Sequence, residues 1–599
     1  MKKILYLIAF VTLCLTLCSY RNPVLPGFHA DPSVCRVGED YYLVNSTFQY
    51  FPGVPVYHSK DLVNWEQIGA CLTRKSQVDL TGLDGGNGIY APTIRYNDGR
   101  FYMITTHFPS RRHFYVYTDD PAGEWSDPIF IDFEIGSCDP TLYFEDDKCY
   151  FLWKNGDIKI CEIDVETGKQ LGEIHHLGAG LGGRYPEGPH IYRKDGWYYL
   201  LLAEGGTEHG HHVNILRSRE LFGPYESNPA NPILSHFNMK MQGSPIQGLG
   251  HADLIDAVDG SWWMICLGYR THGYLQHVMG RETFLAPVEW KEGDWPVVNG
   301  DGTLQLEMDV PSLPEVKVAG EPTYEDFSCE SLPIHWSYLC NPDSTKYSFS
   351  ERPGYLRLKA SEVNLDDTAS PTFVARRQTE YNFTATAEID FSNLKDGSQA
   401  GLTAYAAAHY HYDVEVRARG RKHYIAANVR IDNSDNSIVE IPVKADKAYL
   451  RITGTKEGYT FVGWDSKLPE TMPGENTEVK ALWTKNAYSV KFVNGLTGAE
   501  ITTVSGEFGA AVNAPALPTE AGYTFAWDVT PPSTIPAKNE KGELMANGGV
   551  MTITAVPTAN DVTITFDTNG GEPATMDAIG GKANEAIDPE IAEPKAPEG

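Results

Sequence analysis

The sequence is poor in positive charge and lacks cysteines at the spacing of a metal site. Its 599 residues contain 49 Lys and Arg against 79 Asp and Glu, and the formal net charge is −30. Nucleic acids and anionic membranes would repel such a chain, which argues against either as a partner. The 10 cysteines are scattered without paired ligand spacing, so neither a metal site nor cysteine chemistry is predicted. A neutral substrate is expected.

Long apolar runs are also lacking, except near the N-terminus. Met1-Lys2-Lys3 precedes an apolar stretch from Ile4 to Leu17, and a polar break follows. This pattern predicts an export signal over residues 1–20, because the run is too short to be preferred as a transmembrane span. We therefore expect an exported protein, periplasmic or extracellular, with no transmembrane span. A lipid anchor on Cys18 is an alternative, although Leu17 is a poor match to the small residue usual before such a cysteine.

The sequence does contain a fivefold repeat. Each unit opens with a short extended run, and a turn and aromatic residues follow roughly ten residues later. The units begin at Asp31-Pro32-Ser33-Val34, Ala91-Pro92-Thr93-Ile94, Asp139-Pro140-Thr141-Leu142, Glu187-Gly188-Pro189-His190 and His251-Ala252-Asp253-Leu254. Self-similarity at about fifty to sixty residues, built from short strands and Asp-Gly turns, is typical of radial β-architectures. We predict an all-β chain that begins with a five-bladed β-propeller over residues 21–310.

If the five openings are equivalent strands, rotational symmetry brings their first residues to one mouth of a central channel. Those residues are Asp31, Ala91, Asp139, Glu187 and His251. An isolated Asp-Pro pair is usually only the start of a turn. That explanation does not account for acids at the same phase of three repeats. A shared site of three carboxyl groups and a histidine is therefore predicted.

The order of the repeats assigns chemistry to the three acids. In a ring of five, the third and fourth units are neighbours, so Asp139 and Glu187 are expected to crowd each other while Asp31 faces them across the axis. Two close carboxyl groups cannot both ionise cheaply, so one retains its proton near neutral pH. Acid–base catalysis can use such a retained proton together with a separate carboxylate that accepts one. Glu187 is the expected acid and Asp31 the expected base.

Residues 22 to about 300 closely resemble glycoside hydrolase family 43, the inverting β-xylosidases and α-L-arabinofuranosidases. The resemblance covers about half the chain and rests on these motifs: Asn22-Pro23-Val24-Leu25-Pro26-Gly27-Phe28-His29-Ala30-Asp31-Pro32-Ser33, His58-Ser59-Lys60-Asp61-Leu62-Val63-Asn64-Trp65, Glu187-Gly188-Pro189-His190, Ala203-Glu204-Gly205-Gly206-Thr207 and Gly280-Arg281-Glu282-Thr283-Phe284-Leu285-Ala286-Pro287-Val288-Glu289-Trp290. It implies that Asp31 is the general base, that Asp139 tunes and orients, and that Glu187 is the general acid.

The same resemblance implies substrate-binding roles for five further residues: Phe48, Tyr90, Thr207, His251 and Arg281. Tyr90 stands where many relatives carry Trp. A place in the propeller core is the alternative for Phe48 and Tyr90. For His251 the alternatives are a hydrogen bond to the sugar, a structural calcium or water at the channel axis, or a bond to a neighbouring strand. No cofactor is expected to be required. The run His209, His211 and His212 has no recognised ligand spacing and is predicted to be a solvated loop.

Two further regions follow the propeller. Residues 322–455 show the alternation of a β-sandwich and resemble the concanavalin-like sandwich of the β-xylosidase branch. That resemblance breaks off near Lys456, so the sandwich is expected to be truncated, and the wall that its late loop gives the pocket in relatives is in doubt. Residues 456–599 resemble internalin-type β-repeats, with Gly458-Tyr459-Thr460-Phe461 recurring as Gly522-Tyr523-Thr524-Phe525. A genuine module and an assembly artefact are both open.

The predicted function is an exo-acting inverting glycosidase that releases xylose or arabinose from xylan or arabinan fragments of plant cell walls. A β-xylosidase is favoured, and an α-L-arabinofuranosidase is the alternative. A non-catalytic carbohydrate-binding surface protein is a rival from another class, but a lectin has no need of three clustered acids. A retaining fructosidase-type enzyme is a weaker rival.

Overall fold

The computed structural model of the protein describes residues 18–134, 138–237, 241, 244–271, 275–310, 315–432, 434–454, 459–464, 481–541, 545, 548–569, 573, 576–587 and 595–596. Over these residues the chain is built from strands, with one short 3-10 helix at Ser344–Lys346 and no α-helix, so the all-β prediction is confirmed. Two compact units are formed, Met1–Gly454 and Thr455–Gly599.

The predicted export signal lies outside the described residues except for its last three positions. Among the residues that are described, no helix has the length and apolar character needed to cross a membrane.

The first unit opens with β1 (Cys18–Arg21), followed by five successive antiparallel sheets. The first sheet contains β2 (Ala30–Val37), β3 (Asp40–Ser46), β5 (Gly53–Ser59) and β6 (Glu66–Leu72), and β4 (Tyr50–Phe51) lies between β3 and β5 in sequence. The second sheet contains β7 (Ile89–Asn97), β8 (Arg100–His107), β9 (Arg112–Thr118) and β10 (Ile129–Ile131). The third sheet contains β11 (Cys138–Glu145), β12 (Lys148–Asn155), β13 (Asp157–Asp164), β14 (Lys169–Gln170) and β15 (His175–Gly178).

The fourth and fifth sheets follow the same pattern, in which consecutive strands are neighbours except for the last short strand of the third and fourth sheets, which pairs with the third strand of its sheet. Their strands are β16 (Glu187–Lys194), β17 (Trp197–Glu204), β18 (His212–Ser218), β19 (Glu226–Ser227) and β20 (Leu234–Ser235), then β21 (Ile246–Asp256), β22 (Trp262–Arg270), β23 (Glu282–Glu289) and β24 (Val297–Val298). After the fifth sheet, β25 (Glu307–Val310) pairs antiparallel with β1.

The first strands of the five sheets, β2, β7, β11, β16 and β21, form a closed ring. We call them the ring strands. Each contacts the next in chain order, and β21 contacts β2. Segments that are far apart in sequence therefore meet around one axis, as the repeat predicted.

Each ring strand carries a one-residue bulge, and β21 carries a further one between Gln247 and Gly250. In the first sheet Ala30 pairs with Ser46 and Ser33 with Val44, so one extra residue lies between the two pairs. The same register shift occurs in the other four sheets. The residue that begins each bulge has a left-handed backbone, with φ of 52, 42, 54, 58 and 43° at Asp31, Ala91, Asp139, Gly188 and His251.

The bulges correct one part of the predicted repeat. Asp31, Ala91, Asp139 and His251 are equivalent as expected, but the equivalent residue of the fourth sheet is Gly188. Glu187 lies one residue earlier and corresponds to Cys138 of the third sheet, since each is the last paired residue before the bulge. The Glu187 side chain therefore projects from an extended backbone rather than from a left-handed one.

Apolar clusters between neighbouring sheets hold the ring together. Side chains alternate along a strand, so each middle strand packs in both directions. On β12, Phe151 and Trp153 pack with Tyr115 of the second sheet, whereas Leu152 packs with Leu200 of the fourth. All five are at most 1% exposed, and each contributes about 1.5–3 kcal/mol by leaving water.

A buried ion pair lies inside the ring. Arg95 Nη1 of β7 donates to Asp253 Oδ2 of β21 over 2.8 Å, and Asp253 is completely buried. Ser33 Oγ of β2 and Tyr192 OH of β16 also donate to this carboxylate, over 2.7 and 2.6 Å. Burial alone would raise the pKa of Asp253, but the adjacent guanidinium holds it well below the ordinary range. One carboxylate thus ties four ring strands together.

The rest of the first unit is a smaller β-region. Its strands are β26 (Tyr338–Leu339), which pairs with β4, then β27 (Tyr347–Ser348), β28 (Arg357–Leu358), β29 (Phe383–Asp390), β30 (Gln399–Ala407), β31 (Tyr410–Arg419), β32 (Lys422–Ile431), β33 (Ser434–Val443) and β34 (Lys447–Gly454). The β29–β34 pair packs on the four-stranded sheet β30–β33 through Phe391, Val416 and Leu450. Two β-layers therefore occupy the region predicted to be a sandwich.

The strands of the second unit are β35 (Tyr459–Trp464), β36 (Ala481–Lys485), β37 (Ala487–Asn494), β38 (Glu500–Glu507), β39 (Tyr523–Trp527), β40 (Val550–Ala559), β41 (Asp561–Ile564) and β42 (Ile579–Lys582). Four of them form a mixed sheet in the order β38-β37-β40-β39. Val490, Phe492 and Ile553 fill its core. Both recurring Tyr-Thr-Phe strings lie in strands, β35 and β39, while Gly458 lies outside the described residues. The internalin-type assignment stays a prediction.

Asp253→Asn tests whether the buried ion pair holds the ring. The change leaves Arg95 buried without a counter-charge, so we expect the free energy of unfolding to fall by about 3–5 kcal/mol. Urea unfolding followed by tryptophan fluorescence measures this. Asp256→Asn is the matched control, because Asp256 pairs with Arg36 at the partly exposed surface and should lose about 1 kcal/mol or less. Equal losses in the two variants would contradict a special role for the buried pair.

Candidate active site

The starts of the ring strands bring most of the predicted site residues to one mouth of the ring. Asp31 begins the bulge of β2, Asp139 that of β11 and His251 that of β21. Glu187 begins β16. The bulge adds a residue on one strand only, which turns the side chain that follows it out of the regular alternation. The local fold of each repeat therefore directs the side chain of its first polar residue toward the mouth of the ring.

Asp31 is buried and fully partnered. Arg281 Nη1 donates to Asp31 Oδ1 over 2.8 Å, and Ser46 Oγ donates to Asp31 Oδ2 over 2.5 Å. Burial would raise the pKa of this carboxyl, but Arg281, His251 and the Ser46 hydrogen bond together hold it below the ordinary aspartate value. Asp31 is consequently an ionised carboxylate over most of the pH range.

Ser46 also joins the first two sheets, because its Oγ accepts a 2.7 Å hydrogen bond from Ala91 N. The orientation of the Asp31 carboxylate is thereby tied to the start of β7.

Asp139 and Glu187 lie close together, as the order of the repeats predicted. One carboxylate oxygen of each lies within 4.8 Å of the other and of Cys138 Sγ, and Asp31 does not belong to this group. Burial raises the pKa of each carboxyl to about 7, and at Asp139 the neighbouring Glu187 charge adds to the effect. The pair therefore retains a proton near neutral pH.

His251 is the neighbour of Asp139 on the other side. Its Nδ1 lies 3.7 Å from Asp139 Oδ2, and only 6% of the residue is exposed. The ring lies against Gly188, where a Cβ atom would come within 3.2 Å of His251 Nδ1 and Cε1. Glycine at the bulge of β16 is thus needed for the room that the imidazole occupies, since the equivalent bulges adopt the left-handed backbone with other residues.

Arg281 is held in place by the residue that follows it. Glu282 is completely buried and accepts hydrogen bonds from Arg270 Nε at 2.9 Å and from Gly27 N at 2.8 Å. This second ion pair fixes the start of β23. The guanidinium of Arg281 consequently reaches Asp31, 250 residues earlier in the chain, from a rigid strand.

Phe48 and Tyr90 lie beside Arg281 in an aromatic chain. Phe48 stacks on Phe28 with ring centroids 5.3 Å apart and meets Tyr90 edge-on at 5.2 Å. The Arg281 guanidinium lies 5.3 Å from the Phe48 centroid. Phe48 is 5% exposed, whereas Tyr90 is half-buried and stacks on Phe108. Of the two predicted alternatives, core packing fits the buried ring of Phe48, whereas the more accessible ring of Tyr90 is open to sugar contact.

Thr207 is the remaining predicted site residue. It is exposed in the loop after β17, and within the described part of the chain no hydrogen bond joins it to Asp31, Asp139 or Glu187. Its role in binding stays a prediction.

The prediction that His209, His211 and His212 form a solvated loop is wrong for His211. Only 2% of this residue is exposed, and its ring lies where a Cβ of residue 250 would be, 2.3 Å from Nδ1. Burial lowers the pKa of His211 to about 3, and the nearby charges of His251 and Arg281 act in the same direction. The glycine at position 250, next to His251, was the sequence signal for a close approach here.

Sequence reasoning also missed Ser46 and Cys138. No motif marks Ser46, because its contact with Asp31 depends on the pairing of β2 with β3. Cys138 was counted among scattered thiols, yet its Sγ lies 4.0 Å from Glu187 Oε2.

A divalent cation would find its donor set at Cys138, Asp139 and Glu187. A thiol beside two carboxyls suits a soft or borderline metal better than calcium, which prefers six to eight oxygen ligands. Around His251, Asp139 supplies the one carboxylate within 4 Å among the described residues. A calcium ion near His251 stays a prediction.

The arrangement offers one ionised carboxylate and, apart from it, a carboxyl pair that holds a proton. Such a division lets one group accept a proton while another donates one in the same reaction. The surrounding side chains are aromatic rings and an arginine already paired with Asp31, which suits a neutral polyhydroxylated ligand rather than a purely apolar one.

Comparison with known proteins agrees with this chemistry. The sequence model of Glycosyl hydrolases family 43 matches residues 20–296, and that of the Beta xylosidase C-terminal Concanavalin A-like domain matches residues 324–499. The second match extends past Lys456, where the motif resemblance was expected to break off.

Individual relatives cover most of the first unit. The non-reducing end alpha-L-arabinofuranosidase BoGH43B of Bacteroides ovatus is 43% identical over 454 residues, which cover 74% of this chain and 84% of the relative. A xylosidase/arabinosidase of Butyrivibrio fibrisolvens is 42% identical and covers 66% of this chain and 79% of its own length. A solved structure described as Bacteroides ovatus xyloglucan PUL GH43B matches with a TM-score of 0.71 at 41% identity, over 74% of this chain and 88% of that one. The chain therefore belongs to glycosyl hydrolase family 43, a family of glycosidases.

Proposed function

We propose that the protein is an exo-acting inverting glycosidase that releases xylose or arabinose from plant cell-wall oligosaccharides. The observation that carries the proposal is the division of three clustered carboxyl groups. Arg281 and Ser46 keep Asp31 ionised, whereas Asp139 and Glu187 share a proton near neutral pH. Inverting hydrolysis requires this combination of carboxylate and carboxylic acid.

In this mechanism Asp31 accepts a proton from the attacking water while Glu187 donates one to the leaving oxygen. Glu187 is the better donor of the pair because its arm is longer and because it is half-buried, whereas only 8% of Asp139 is exposed. Burial raises the pKa of both members of the pair, so one proton stays on the pair near neutral pH. His251 positions Asp139, and Arg281 positions Asp31.

The sugar is assigned to the pentoses on three grounds. The net charge of −30 favours a neutral substrate, Tyr90 offers a half-buried ring next to the site, and the relatives are named for arabinofuranosidase and xylosidase/arabinosidase activities. We favour xylose, with arabinose as the alternative. A carbohydrate-binding protein without activity would not need a buried proton-sharing pair.

Further features complete the proposal. The five sheets would be the blades of a five-bladed propeller, which the closed contacts of the ring strands support. Residues 1–20 would direct export, residues 456–599 would form internalin-type repeats, and no cofactor would be required.

A panel of nitrophenyl pentosides tests the function directly. We expect hydrolysis of the β-xyloside, the α-L-arabinofuranoside or both, and NMR of the first sugar released should show the inverted anomer. Release of the retained anomer would overturn the inverting mechanism. Binding of xylo-oligosaccharide without release of pentose would favour the carbohydrate-binding alternative.

Glu187→Gln should separate the acid from the base. The amide cannot protonate a leaving sugar, so we expect kcat on xylobiose or an arabino-oligosaccharide to fall about 10²–10⁴-fold. Hydrolysis of a pentosyl fluoride, whose leaving group needs no proton, should fall far less. Asp31→Ala is the matched comparison and should lose both activities, because water still needs its base. Equal loss of both activities in Glu187→Gln would contradict the acid role.

The pH profile follows from the same carboxyls. Because the pKa of Asp31 is lowered, the acid limb of kcat/KM should lie below the ordinary aspartate range. Activity should be lost as the pH rises through about 7, where the Asp139 and Glu187 pair gives up its proton. With Glu187→Gln and a pentosyl fluoride, this alkaline limb should disappear. An alkaline limb that survives in that variant would assign the proton to another group.

Gly188→Ala should lower the activity but leave the ring of strands intact. The new Cβ would lie 3.2 Å from the His251 imidazole, and the alanine would have to keep the left-handed backbone of Gly188. We expect kcat/KM to fall about tenfold or more because His251 would be displaced from Asp139, and small misplacements are costly at active sites. Gly99→Ala is the control, because it lies at a similar φ in the turn after β7 with open space around it. Similar losses in the two variants would indicate backbone strain alone.

A further inference from the structure

Tyr185 presents an exposed aromatic ring at the rim of the site. It lies two residues before Glu187, in the loop that leads into β16, and 53% of it is exposed. Large aromatic side chains of this chain mostly pack in the clusters between sheets, where burial stabilises them. An exposed ring next to the proposed acid therefore needs a different explanation.

The backbone of Tyr185 is strained, and its ring packs on a neighbouring glycine. Its φ is 52°, a left-handed conformation that is unfavourable for an aromatic residue. A 2.7 Å hydrogen bond from Gly205 N to Arg184 O holds the loop against the end of β17. The ring itself lies on Gly206, where a Cβ would come within 3.1 Å of Tyr185 Cδ2. Strain of this kind tends to be kept at functional sites.

Two cations border the same ring. The Arg184 guanidinium lies 5.0 Å and Lys154 Nζ lies 5.7 Å from its centroid. Lys154 is the pairing partner of Cys138, the residue next to Asp139, and its charge acts on Glu187. The ring, the lysine and the proposed acid therefore share one side of the mouth.

The position of the acid decides what this rim would face. Glu187 must lie beside the oxygen that leaves, and Asp31 must lie on the opposite face of the sugar being released. The part of a substrate that extends past Glu187 toward the exposed rim is consequently the leaving group. We propose that Tyr185 is the stacking platform of a leaving-group subsite for a neutral sugar ring, with Lys154 and Arg184 as donors to its hydroxyls. This inference rests on the proposed function.

Two substrates of the same pentose separate the subsite from the reaction. A disaccharide has a leaving ring that could stack on Tyr185, whereas the pentosyl fluoride has a leaving group of one atom. For Tyr185→Ala we expect kcat/KM on the disaccharide to fall about tenfold, the value of one good aromatic contact. The fluoride should change less than about twofold.

Two further variants control for the hydroxyl and for general effects of losing an aromatic. Tyr185→Phe keeps the ring and should retain most of the disaccharide activity. Tyr324→Ala removes an aromatic that is 79% exposed outside the site and should change neither substrate.

Several results would overturn the inference. An equal loss on disaccharide and fluoride would mean that Tyr185 acts on the pentose site or on folding rather than on the leaving ring. A disaccharide loss in Tyr185→Ala that comes with a shifted alkaline limb of kcat/KM would mean that Tyr185 acts through Glu187. No loss on either would mean that no ring stacks there. A disaccharide loss as large in Tyr185→Phe would assign the effect to the hydroxyl. Failure of the proposed function is distinguishable, because the unmodified protein would then hydrolyse neither substrate.

Discussion

The one-residue bulge at the start of each ring strand is the constraint on which the site depends. It gives Asp31, Asp139 and His251 the same left-handed backbone and brings them to one mouth. Below them, the buried carboxylate of Asp253 joins four of the five ring strands through Arg95 and its other donors. The geometry of the acids is therefore a property of the ring as a whole rather than of any one loop.

Neighbouring charges then give chemically similar groups different protonation states. Asp31 faces Arg281, while Asp139 faces Glu187, and the pKa values of these carboxyls move in opposite directions. Burial strengthens both effects, because a low dielectric penalises an unpaired charge and favours a paired one. The same principle explains why Arg281 is anchored by the buried Glu282, since a mobile cation could not keep Asp31 ionised.

The rim adds features that the acids alone do not supply. Tyr90 and Phe48 border the site beside Arg281, and Tyr185 borders it beside Glu187. Aromatic rings at two places around the mouth suit a ligand with more than one sugar ring. The chain thus combines a group of acids fixed by the ring strands with aromatic rings around the mouth.

Sequence alone determined the all-β class, the five units, the equivalence of Asp31, Asp139 and His251 and the likeness to family 43, because spacing and motifs are local properties of the chain. It also placed Asp139 near Glu187, since neighbouring repeats must be neighbouring sheets. Only the tertiary structure decided that Gly188, not Glu187, begins the fourth bulge, and that Ser46, Cys138 and His211 belong to the site. Register, burial and contacts across 250 residues depend on how the strands pair and the ring closes, which no local pattern encodes.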